Sequence, residues 1–186
     1  MRRITILTLV LLVALALGAY ADTSGKVSAS VFAVVNPNIS CGVITSLVDA
    51  GTHQTGEFSA DIVFRIDANE EAVNIYAEAS PLYKGEQIVS PLVTPIPLAL
   101  SKGIVINPDD AAPFPGYDVD GKANYIGSFG DIAGYPTVLT ETIPFESSQA
   151  GHFSQNVVLS VTWNQDDPER PQGIYWGKVG LTAFLL

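Results

Sequence analysis

Apolar and polar residues alternate along most of the chain after residue 25, as they do in strands with one buried and one wet face. From Lys26 to Val35, the side chains of Val27, Ala29, Val31, Ala33 and Val35 share one face, and Asn36-Pro37-Asn38 ends the run with turn chemistry. A short strand follows at Ile39 to Ile44. Glu57 to Asp67 alternates clearly, with Phe58, Ala60, Ile62, Phe64 and Ile66 directed inward. Ala72 to Ala79 comes next, after an Asn69-Glu70-Glu71 turn. The pattern predicts further strands at Ile88 to Val93, Ile96 to Leu100 and Gly103 to Ile106. It resumes at Thr137 to Phe145, His152 to Trp163 and Gly173 to Leu186, with Asn164 to Gln172 joining the last two as a hairpin. Between them, residues 107–134 hold three prolines, five glycines and five aspartates, which predicts a long loop with one short strand near Tyr125 to Phe129.

Many short strands separated by turn signals, with no helical period after the first 25 residues, predict an all-β fold. One wet face per strand favours antiparallel pairing. The expected architecture is therefore an antiparallel two-sheet sandwich of immunoglobulin-like form, without the Cys–Trp–Cys core of antibody domains. An eight-stranded outer-membrane barrel would need eight segments of about ten residues each. Only a minority of these strands are that long, and prolines interrupt others.

The first 21 residues change the picture of where this domain works. Arg2 and Arg3 precede an uncharged apolar run from Ile4 to Leu17, and Ala19-Tyr20-Ala21 supplies a small-x-small cleavage pattern. That run falls short of the ~20 residues that span a bilayer, so residues 1–21 read as a secretory leader rather than an anchor. The expected organisation is a leader at 1–21, an N-terminal strand segment at 22–36 and a sandwich domain at 37–186. The protein is then exported to the periplasm, the cell surface or the medium.

Charge and cysteine content narrow the function classes. The 186 residues carry 19 acidic against 9 basic side chains, a net −10, and loss of the two leader arginines takes this to −12. No basic footprint for nucleic acid exists. The single Cys41 excludes a disulfide framework and a structural zinc site, and its alternating neighbours predict a buried thiol.

Catalytic constellations are missing at the level of motif. His53 and His152 share no metal-ligand spacing, and neither G-x-S-x-G nor a phosphate-binding Gly-rich loop occurs. The carboxylate pairs Asp109-Asp110, Asp118/Asp120 and Asp166-Asp167 fall in turn-rich stretches, where acidic residues cap backbone amides. The expectation is a protein that is not an enzyme and has no resident cofactor. One candidate metal set stands out: Asp118, Asp120 and Asn124 place oxygen donors at alternating positions suited to calcium. Lys122 interrupts that set, and no Glu closes the loop.

The two ends carry the remaining signal. Gly173-Ile174-Tyr175-Trp176-Gly177-Lys178-Val179-Gly180-Leu181-Thr182 leads into a strand reaching Leu186, and an alternating apolar segment follows the leader. With these features the chain resembles the pilins of chaperone–usher fimbriae and the related spore-coat-U-like secreted proteins. It departs from them in having a lone Cys41, and in placing Phe184 third from the end. The resemblance implies a non-enzymatic structural subunit of a surface fibre or coat, assembling with itself or related subunits by β-strand addition. It implies donor positions at Val27, Ala29, Val31, Ala33 and Val35, and a periplasmic chaperone as a further partner. The alternative is a monomeric secreted binding module that uses loop 107–134, with or without calcium.

Overall fold

The computed structural model describes residues 30–99, 103–120 and 129–186. The leader at 1–21, the donor positions Val27 and Ala29, and Asn124 lie outside the described residues. The chain divides into Met1–Val35 and Asn36–Leu186. In the first unit, residues 30–35 carry no strand and are exposed, so the strand expected over Lys26 to Val35 is not formed in its described part.

The second unit is all-β, and every strand pairing in it is antiparallel. One sheet has the order β1-β2-β10-β5, formed by Ile39–Val43, Gly56–Ala68, Phe153–Gln165 and Ile104–Pro108. The ladder between β2 and β10 is the longest, running in register from Gly56↔Gln165 to Ala68↔Phe153. The second sheet is built around β3, Ala72–Ala79. One edge of β3 takes both β8 (Tyr135–Leu139) and β9 (Ile143–Ser147), and its other edge takes β12 (Val179–Leu185). Beyond β9 lies β6 (Ala111–Pro113), beyond β8 lies β7 (Phe129–Ile132), and β4 (Tyr83–Lys84) pairs with β11 (Tyr175–Trp176). Among the described residues, no helix is long and apolar enough to cross a membrane.

Alternation explains the core. Phe58, Ala60, Ile62, Phe64 and Ile66 of β2 meet Val73, Ile75, Ala77 and Ala79 of β3, joined by Phe153, Val157, Leu159 and Val161 of β10. Trp163 closes one end, its indole N–H donating to the Ser80 carbonyl at 3.0 Å.

Several expected elements take another form. Ile88 to Val93 is no strand: Ser90 sits at φ 48°, Pro91 has no N–H to give, and Val89 and Leu92 stand in solvent. Ile96 and Leu98 make only isolated bridges, to Leu82 and Trp163. The run at Thr137 to Phe145 breaks into β8 and β9 at Thr140, whose hydroxyl oxygen accepts the Ala77 N–H at 2.9 Å in place of a ladder bond. The final run is interrupted at Gly177, where a Cβ would lie 2.6 Å from Leu82. The stretch expected as a long loop contains the end of β5 and all of β6 and β7.

Candidate functional site

β12 runs along β3 with Val179↔Ala79, Leu181↔Ala77, Ala183↔Ile75 and Leu185↔Val73. The β3 residues of those pairs are completely buried, whereas Val179, Leu181, Ala183 and Leu185, on the same core-facing side, are only half-buried. Ser80 N–H donates to the Lys178 carbonyl at 2.9 Å. In an antiparallel ladder, hydrogen-bonded and non-hydrogen-bonded pairs alternate. The amides and carbonyls of Val179, Leu181, Ala183 and Leu185 therefore point away from β3, and among the described residues no strand pairs with that edge.

The facing sheet also ends on this side. β1 is its edge strand, with Ile39↔Ala68, Cys41↔Ile66 and Val43↔Phe64. Ala68, Ile66 and Phe64 are buried, so Cys41 and Val43 share a core-facing row with them. Yet Cys41 is exposed and Val43 is 58% exposed, with Ile44 and Leu47 exposed just beyond. The expectation of a buried Cys41 is thus corrected: the residue has a core-facing direction but is exposed, covered only in part by the edge of β12. Its thiol lies against the edge of β12, where the Ala183 backbone amide is its hydrogen-bond partner. Desolvation of the sulfur against that wall pushes the thiol above its ordinary pKa, and the bond to Ala183 offsets this in part.

The local sequence explains the opening. β1 spans five residues against thirteen in β2, because the N–H groups of both Ile44 and Thr45 turn to the Val63 carbonyl, at 2.9 and 3.1 Å, and end the ladder. The result is a flank where two sheet edges meet: no strand pairs with the outer edge of β12 among the described residues, and the Cys41 thiol of β1 rests on that edge at Ala183. Such an edge accepts an extended segment with alternating apolar side chains.

The expected donor residues fit that description in composition. Val31 is 94% exposed and Val35 79%, and Phe32, Ala33 and Val34 between them are exposed too. The base of the segment is fixed to the domain by Asn69. Its side-chain amide donates to the Asn36 carbonyl at 2.9 Å, and its carboxamide oxygen accepts the Asn38 N–H at 2.6 Å.

The other candidates serve local structure. Asp118 Oδ1 accepts the Asp120 N–H at 2.9 Å, a turn-capping bond. Among the described residues, no three His, Cys, Asp or Glu side chains gather in a metal-holding group. His53 stacks on Phe58 with centroids 4.1 Å apart, and His152 Nδ1 lies 3.0 Å from the Ala150 carbonyl. Asp110 pairs with the Ser148 hydroxyl, and Asp166 with Arg170. A shallow depression of about 700 Å³ lies between residues 109–115 and 146–148. Sequence reasoning found the apolar face of β12 but missed Cys41 and Val43 as its counterpart. The contrast between a short apolar run at Ile39 to Ile44 and a long one at Glu57 to Asp67 was the available signal. No family model matches the chain, and no curated protein or solved structure matches it.

Proposed function

We propose that this protein is an exported structural subunit of a surface fibre or coat, an immunoglobulin-like and pilin-like sandwich assembled by β-strand addition. The outer edge of β12, once the Cys41 thiol of β1 is displaced from Ala183, receives the Val31–Ala33–Val35 face of another subunit's N-terminal segment. One observation carries the reading: core-facing side chains on both edges, Cys41 and Val43 opposite Leu181 and Ala183, lack the cover that the rest of the core has. A seated strand would pair with the outward backbone groups of β12, taking the Ala183 amide over from Cys41, and bury that row, with ladder bonds giving affinity and side-chain fit giving register. The test is assembly of the chain from residue 22 onward and of its Val31→Asp variant, compared by sedimentation. The unmodified chain is expected to form multimers, and the variant, altered at an exposed residue, to stay folded and monomeric. Equal assembly of the two would refute strand addition.

A second reading, a monomeric binding module, is favoured by the depression beside Phe114, which lies in the stretch expected to bind ligand. Replacing residues 109–115 would then abolish ligand capture while leaving the sedimentation profile unchanged.

A further inference from the structure

The direction in which a donor strand lies along the β12 edge fixes the shape of the assembly, and the domain's charge distribution selects between the two directions. β12 runs from Val179, beside Ala79, to Leu185, beside Val73, and so ends near the β2–β3 turn at Asn69. The donor segment leaves its own domain at that same end, because Asn36 and Asn38 are bound to Asn69. A donor lying parallel to β12 therefore exits the acceptor at the Asn69 end and joins its own domain at the equivalent end. Two copies exchanging segments this way form a closed two-fold pair. A donor lying antiparallel to β12 exits at the opposite end, the Ala79 end. The Asn69 end of each copy then stacks on the Ala79 end of the next, which makes an open chain.

The two ends differ in charge. Glu70, Glu71, Asp109, Asp110 and Glu146 are all exposed at or beside the Asn69 end. Arg65 lies within electrostatic reach of Asp109 and is bound to Asp67 at 2.8 Å, which leaves the five carboxylates in excess. The Ala79 end mixes signs, with Lys84, Lys178 and Arg170 among Glu86, Asp166, Asp167 and Glu169.

We propose that the five carboxylates at the Asn69 end act as a repulsive face that bars the closed pair and commits the subunit to open, head-to-tail assembly. This inference rests on the strand-addition reading. The closed pair apposes two faces with an excess of carboxylates, and like charges facing each other across an interface are strongly unfavourable. The open chain sets one acidic face against a mixed one. The repulsion is long-ranged at low salt and collapses when the screening length falls to about 3 Å near 1 M.

Sedimentation of the chain from residue 22 onward, at 20 mM and at 1 M NaCl, tests it. So does the variant Glu70→Gln/Asp109→Asn/Glu146→Gln, whose three side chains are exposed. At low salt the unmodified chain is expected to give an open ladder of oligomers. High salt or the variant should raise the share of discrete dimers by a factor on the order of ten. A low-salt dimer end point for the unmodified chain would overturn the proposal. So would a distribution that neither salt nor the triple variant alters. Monomers under every condition, or Val31→Asp assembling normally, would instead remove the strand-addition reading and this inference with it.

Discussion

Cys41 faces the core and still meets solvent, because β1 is the edge of its sheet and the edge of β12 covers the thiol only in part. Its direction was legible: alternation along Ile39 to Ile44 places it on the same face as Ile39 and Val43. Its exposure was not, since burial depends on a strand far away in sequence or on another chain. The thiolate is the reactive species, and the raised pKa keeps its fraction small at neutral pH. Maleimide labelling followed by mass spectrometry should therefore be slow at pH 7 and accelerate as the pH rises. Saturation with a peptide of residues 26–36 should slow it at least about tenfold, since a covered thiol reacts only when the strand leaves. Unchanged labelling would place the peptide elsewhere. Asp67 shows the converse case. The Arg65 guanidinium, and then the Ser154 hydroxyl, hold its carboxyl below the usual carboxylate range, a role that no motif in the sequence announced.

Among the elements, β2, β3 and β10 could be read directly, because each buries every second residue along its length. Strands whose limits depend on backbone geometry could not. Ser90 and Pro91 cancel an apolar run that looks strand-like, and Thr140 splits another by offering a hydroxyl where the ladder needs a partner. β4 and β11, two residues each, are too short for any period to register. β12 was legible as a strand with an apolar face, but not as a strand bonded on one side only. Its amides should separate by parity in hydrogen exchange. Those of Gly180 and Thr182, turned towards β3, should be protected, while that of Leu181 exchanges faster by about a hundredfold or more. The peptide of residues 26–36 should erase the difference. Equal protection of Leu181 and Thr182 in the isolated monomer would mean that the edge is already paired.

At the scale of the whole molecule, a net charge of −10 favours solubility, and the mixed and acidic ends give that charge a direction. The Asn36–Leu186 domain has a continuous core, and in the strand-addition reading the edge of β12 links assembly to stability. A ligand that binds only the folded form raises its stability in proportion to the logarithm of its concentration. The most direct measurement is the melting temperature of the Val31→Asp chain, whose own segment is disabled, titrated with the unmodified peptide of residues 26–36. At a hundredfold excess over Kd the gain is about 2.7 kcal/mol, a rise of roughly 5–10 °C for a domain of this size. A concentration-dependent rise with the unmodified peptide, absent with its Val31→Asp counterpart, is the predicted result. A melting temperature that neither peptide moves would contradict the proposal that the β12 edge accepts a strand.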